Sequence, residues 1–135
     1  MTSQISWYNE DYNALLIRYE AGWTWKQHHA LIAQLSQMRN ERGITPFFCL
    51  FDLRGTTMPF DSSTGENYHN PREGSYIVIV IDNMFTRTIA QLAIRARGHQ
   101  HLIHLVSTLE EGKAHIDAQI AKLKSSKNSN NQAHH

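Results

Sequence analysis

A chain of 135 residues is the size of one domain, and folded compactly it buries roughly two-thirds of the surface its unfolded form exposes. Hydrophobic residues make up 41% and charged residues 19%, globular proportions that exclude a fibrous or largely disordered chain. The formal net charge of +1 gives little long-range attraction for polyanions, so nucleic acid is not an expected partner.

The single cysteine, Cys49, sits in the apolar run Phe47-Phe48-Cys49-Leu50-Phe51 and reads as a buried, inert thiol. Without a second cysteine there is no intrachain disulfide, which fits a reducing compartment. The start, Met1 to Trp7, lacks the charged head and apolar stretch of a signal peptide, and no apolar run approaches membrane-spanning length. A cytoplasmic location is therefore expected.

In chain order, Ile5 to Tyr8 and Ala14 to Glu20 are β-prone segments joined by a polar, turn-rich stretch, which predicts a hairpin. Gly22 ends the second strand, and Thr24 followed by Gln27 has capping-box spacing at a helix start. Leu31, Ile32, Leu35 and Met38 recur at helical spacing until Gly43, a natural stop. Phe47 to Leu53 is apolar almost throughout, the pattern of a strand covered on both faces. The polar stretch Arg54 to Ser75, interrupted by Pro59, Gly65, Pro71 and Gly74, has room for one short helix at most.

Tyr76 to Ile81 predicts a central strand, and Phe85, Ile89, Leu92 and Ala96 mark the inward face of the next helix, closed by Gly98. His101 to Val106 follows as a strand. Ser107 and Glu110 have capping-box spacing before a last helix with Leu109, Ile116, Ile120 and Leu123 inward. From Ser125 the composition is that of a disordered polar tail, and His134 and His135 read as a tag remnant. The expected organisation is one domain over residues 1–124 and a tail over 125–135. Its fold class is α/β, a mixed sheet of about five strands in which the hairpin leads into β-α units with helices packed on the sheet.

This order resembles the STAS domain of anti-sigma-factor antagonists and their lipid-carrier-like relatives. The likeness rests on two stretches. Cys49-Leu50-Phe51-Asp52-Leu53-Arg54 leading to Phe60-Asp61-Ser62-Ser63 is similar to the family's strand ending in Asp-Leu followed by an apolar residue and Asp-Ser-Ser. Tyr76 to Ile120 is similar to its closing strand, helix, strand and helix, with Leu109-Glu110-Glu111 at the last helix start. The resemblance implies a non-enzymatic regulatory or protein-binding module with Ser62 as the phosphate acceptor and the region around it as the binding surface. Strand ends meeting at one edge add Asp52, Arg54, Asp61, Ser63, Asp82 and Arg87 as binding-edge candidates. A phosphate there meets free N–H groups at a helix start or repels an acidic partner. The chain departs from the family pattern after Ser63, where Thr64 precedes Gly65 and the following Glu66 to Pro71 lacks an apolar face.

Other chemistry competes with plainer readings. Trp23 before the cap fits a staple onto His28, while Trp23, Trp25, Met58 and Phe60 could instead line a pocket for a small apolar ligand or lipid. Asp52 and Asp82 end neighbouring strands, where they could serve acid-base work or simply cap turns. His101 and His104 fall on opposite strand faces, so no metal is expected, and no glycine-rich phosphate loop or nucleophile elbow implies a cofactor or a catalytic residue. Arg87 and Arg95, eight apart, share a helix face that could meet an acidic protein or stay solvated. Trp7, Tyr8 and Trp23 could form a homodimer patch.

Overall fold

The computed structural model describes residues 4–9, 14–43, 47–59, 71 and 75–133, with side chains through Ser125. It is an α/β fold with a five-stranded mixed sheet in the sequential order β1-β2-β3-β4-β5. Strands β1 (Gln4–Trp7) and β2 (Ala14–Arg18) pair antiparallel as the expected hairpin. β2, β3 (Phe47–Asp52), β4 (Ser75–Val80) and β5 (Ile103–Val106) are mutually parallel.

Strand alternation divides the core. Leu15, Ile17, Phe47, Cys49 and Phe51 meet α1 (Trp25–Arg42) and α2 (Met84–Ala96), through Leu31, Leu35 and Ala90. Ala14, Phe48, Leu50, Val78 and Val80 point the other way, onto α3 (Leu109–Ala133), through Leu109, Ile116 and Ile120. Every residue of β3 is buried, as a strand covered on both faces requires.

α1 begins as expected: Gln27 N donates to Thr24 Oγ1 (3.2 Å) and Thr24 N to Gln27 Oε1 (3.0 Å). It ends on Gly43 at φ 61, whose N–H donates to Arg39 O (3.0 Å). α3 passes close under the sheet at Gly112. A Cβ there would lie 2.8 Å from Leu50 Cδ1 and 3.0 Å from Val80 Cγ2, so the glycine that weakens the helix by propensity is what lets it approach β3 and β4.

Several expectations are corrected. α2 buries Thr86, Ala90 and Ile94, whereas Phe85, Leu92 and Ala96 are exposed and Ile89 half-buried. Apolar residues occupy more than half of the circumference of this helix, and hydrophobic size alone selected the wrong arc. Thr86 is drawn inward because its backbone N–H donates to Asn83 Oδ1 (2.8 Å) and its Oγ1 accepts from Met58 N (3.1 Å).

α3 is capped by Thr108, not Ser107: Glu111 N donates to Thr108 Oγ1 (3.1 Å), and Ser107 Oγ accepts from Arg87 Nη1 (2.8 Å). β5 starts at Ile103, because the N–H groups of Leu102 and Ile103 both donate to His99 O (3.0 Å each) and hold His101 in a turn. The backbone of α3 runs past Ser125 to Ala133. Lengthening an anchored helix adds a hydrogen bond per residue without a new nucleus.

The aromatic dimer patch is also dispersed. Trp23 is only 5% exposed, and Trp7 and Tyr8 lie on opposite faces of the sheet. Trp7 packs edge-on to Phe47, and the Tyr8 hydroxyl donates to Asp117 Oδ1 (2.7 Å).

Candidate functional site

Parallel strands bring β3 and β4 to the same edge at their C-terminal ends, and Asp52 and Asp82 arrive there together as sequence reasoning expected. Asp52 is 5% exposed and grips Arg54 in a two-pronged pair: Nε donates to Oδ1 and Nη2 to Oδ2, both at 2.9 Å. Arg54 N donates to the same Oδ1 (3.2 Å), and Arg18 Nε approaches Oδ2 at 4.0 Å. Asp82, exposed, accepts from Gly55 N at 3.1 and 3.2 Å and so holds the turn after β3. Both carboxylates are engaged in positioning the Leu53 to Thr56 turn, the capping role weighed above.

Burial alone would raise the Asp52 carboxyl, but the hydrogen bonds and charge of Arg54, with the charge of Arg18, outweigh it and hold the group below its ordinary range. A lowered folded pKa contributes stability that is fully present above the unfolded value, near 3.8, and is lost as pH falls through the folded value. Arg54→Ala should therefore cost about 1–2 kcal/mol at neutral pH, discounted for the arginine's exposure. In a series of thermal melts from neutral pH to about pH 3, the acid-induced fall should be shallower in the variant than in the parent, so that the gap between them narrows as Asp52 protonates. A gap that stays constant down to about pH 3 would show that Arg54 does not set the Asp52 ionisation.

The aromatic group sits at the same end, where β2 hands over to α1. Tyr19 and Trp23 pack edge-on at 4.9 Å, Trp23 and Trp25 at 5.1 Å, and Trp23 lies 6.0 Å from the His28 ring, the expected staple. Trp23 Nε1 donates to Thr56 Oγ1 (3.2 Å), which itself donates to Leu53 O (2.8 Å), tying α1 to the Asp52 turn. The Tyr19 hydroxyl and His28 Nδ1 share a hydrogen bond at 2.6 Å. Burial pushes the Tyr19 hydroxyl well above its usual value, and Cys49, fully enclosed, is pushed up to about 12. Neither supplies an anionic nucleophile at neutral pH. Trp23 thus packs into the core, and Trp25 and Met58 stand half-buried against it.

Among the sequence-predicted site residues, Asp52, Arg54 and Asp82 are brought together. Arg87 reaches the neighbouring end of β5 through Ser107, and Trp23 joins Thr56. Phe60, Asp61, Ser62 and Ser63 lie outside the described residues, as does most of the stretch read as holding a short helix.

Sequence reasoning missed the Tyr19 and His28 pair, which no local spacing announces. It also missed Thr56 and Thr86 as the hydroxyls that fasten the edge. His104 stacks between Tyr76 (4.6 Å) and His115 (5.8 Å) on the α3 face. Among the described residues no group of three His, Cys, Asp or Glu side chains is placed to hold a metal ion, and no helix is long and apolar enough to cross a membrane.

Beside this edge, α2 presents large apolar side chains to solvent: Phe85 is 53% and Leu92 64% exposed, in line seven residues apart, and Met84 in the first turn is 75% exposed. At about 100° per residue, Phe85, Ile89, Leu92 and Ala96 form one flank of the helix, and Arg87, Gln91 and Arg95 form the other, against β5. Comparisons with protein-family models, curated proteins and solved structures gave no match for this chain.

Proposed function

We propose that the chain is a non-enzymatic STAS-like regulatory module that docks a protein partner on the apolar flank of α2 and the adjoining C-terminal edge of the sheet, with Ser62 as its phosphorylation switch. The observation that carries this reading is the exposed pair Phe85 and Leu92, seven residues apart on one flank of a helix that starts at that edge, with Met84 exposed at its first turn. Isolated exposed apolar residues are ordinary, but a row at helical spacing is the form in which helix faces meet partners.

The hairpin followed by parallel β-α units agrees with the STAS-like order, and the edge chemistry argues against catalysis. Asp52 is spent on two arginines, Asp82 on a backbone turn, and Cys49 is sealed in the core. Packing around Trp23 weighs against an apolar-ligand pocket at that point.

A photo-reactive phenylalanine analogue placed at Leu92 and activated in cells is expected to trap one protein species. Phe85→Ser should abolish that species, and Ser62→Asp should weaken it by about tenfold relative to Ser62→Ala, a difference of about 1.4 kcal/mol. A trapped species indifferent to both substitutions would refute the reading. So would a small molecule retained stoichiometrically in native mass spectrometry and lost in the Phe85 variant.

A further inference from the structure

The opposite flank of α2 carries a second surface. A cleft of about 230 Å³ runs along β5, the outer strand of the sheet, walled by Arg87, Gln91 and Arg95 of α2 and by His104 and His115. Among the described residues its lining contains no carboxylate and neither arginine forms an ion pair; the side-chain partner of Arg87 there is the neutral Ser107 hydroxyl. His104 Nε2 is buried there without a hydrogen-bond partner.

The strand bordering this cleft has an open edge. Ile77 N donates to Leu102 O (2.8 Å) and Ile81 N to Val106 O (2.9 Å), so the even-numbered residues of β5 turn their peptide groups toward β4. By the alternation of a parallel ladder, Leu105 turns its N–H and C=O outward, and no described strand pairs with that side.

We propose that β5 accepts an extended acidic segment of another protein as a sixth strand, its carboxylates read by Arg87 and Arg95. Spacing supports the match. Eight helical residues place the arginines about 12 Å apart along α2. In an extended segment, side chains four residues apart share a face and stand about 13 Å apart, with the intervening same-face residue opposite Gln91.

A second copy of this chain is a poor occupant, because pairing two β5 edges would bring four like-charged arginines together. Nucleic acid could satisfy the arginines but offers no peptide ladder to the Leu105 backbone. The proposal is independent of the apolar flank described above, since Leu92→Ala should leave it intact.

The probe is a fluorescein-labelled peptide, Ser-Glu-Val-Thr-Val-Glu-Ser, followed by anisotropy with the full chain. Binding is expected, weakened about tenfold or more by Arg87→Ala with Arg95→Ala, and reduced when salt is raised to about 0.5 M. Thermal melts of the arginine variant should stay within about 5 °C of the parent, the loss expected for the exposed Arg87 to Ser107 hydrogen bond, which separates lost binding from lost folding. Methylating the peptide's backbone nitrogens one at a time should abolish binding at alternate positions only, the signature of strand addition. No binding, equal binding of the lysine-for-glutamate peptide, methylation effects without alternation, or displacement by oligothymidylate at equal concentration would each overturn the proposal.

Discussion

Gly112→Val should destabilise the protein by about 3 kcal/mol, although the same change on an exposed helix face would be nearly neutral. Even the first added carbon would stand 2.8 Å from Leu50 Cδ1 and 3.0 Å from Val80 Cγ2, and a valine adds two methyl groups beyond it. Leu50 and Val80 are both fully buried, in strands paired on both sides, so neither has a free direction in which to yield. The alternative is for α3 to lift from the sheet, opening contacts of Leu109 and Ile116 on the same helix. Chemical denaturation measures the effect through its midpoint. An unchanged midpoint with an unchanged slope would mean that α3 does not lie this close to β3 and β4.

What could be read in advance follows from how local each signal is. β3 and β4 are runs of apolar residues with no alternative helical face, and their burial on two sides made them legible without knowledge of neighbours. The cap of α1 is equally local: Thr24 and Gln27 satisfy each other within one turn. At the start of α3 the motif competed with itself, since Ser107 and Thr108 offer the same chemistry one residue apart. The choice is made by Arg87, twenty residues earlier in the chain, which takes the Ser107 hydroxyl. Sequence spacing carries no trace of such a partner.

The candidate edge shows the same division. Meeting of Asp52 and Asp82 followed from two parallel strands of similar ends, a topological inference. That Asp52 is committed to Arg54 and Arg18, and Asp82 to the Gly55 amide, depends on the geometry of a turn that composition does not specify. The face of α2 failed for a physical reason: a helix packed at the side of a sheet needs only a narrow buried arc. Thr86, Ala90 and Ile94 fill that arc because small residues and a hydrogen-bonded hydroxyl fit a close approach. The larger Phe85 and Leu92 were left outside.

Which side of α2 is free therefore underlies the docking account, and paired substitutions on that helix test it. Ile94 is 6% exposed and Leu92 64%, two residues apart with similar side-chain volume and helix propensity. Ile94→Ala should cost about 2–3 kcal/mol, toward the low end for a buried aliphatic because the site borders the β5 cleft. Leu92→Ala should fall within about 0.5 kcal/mol of the parent. Denaturant melts of the two variants side by side are the direct measurement. A large loss for Ile94 with none for Leu92 is the expected result, and a large loss for Leu92 with none for Ile94 would place the apolar flank in the core and remove the surface on which a partner is proposed to dock.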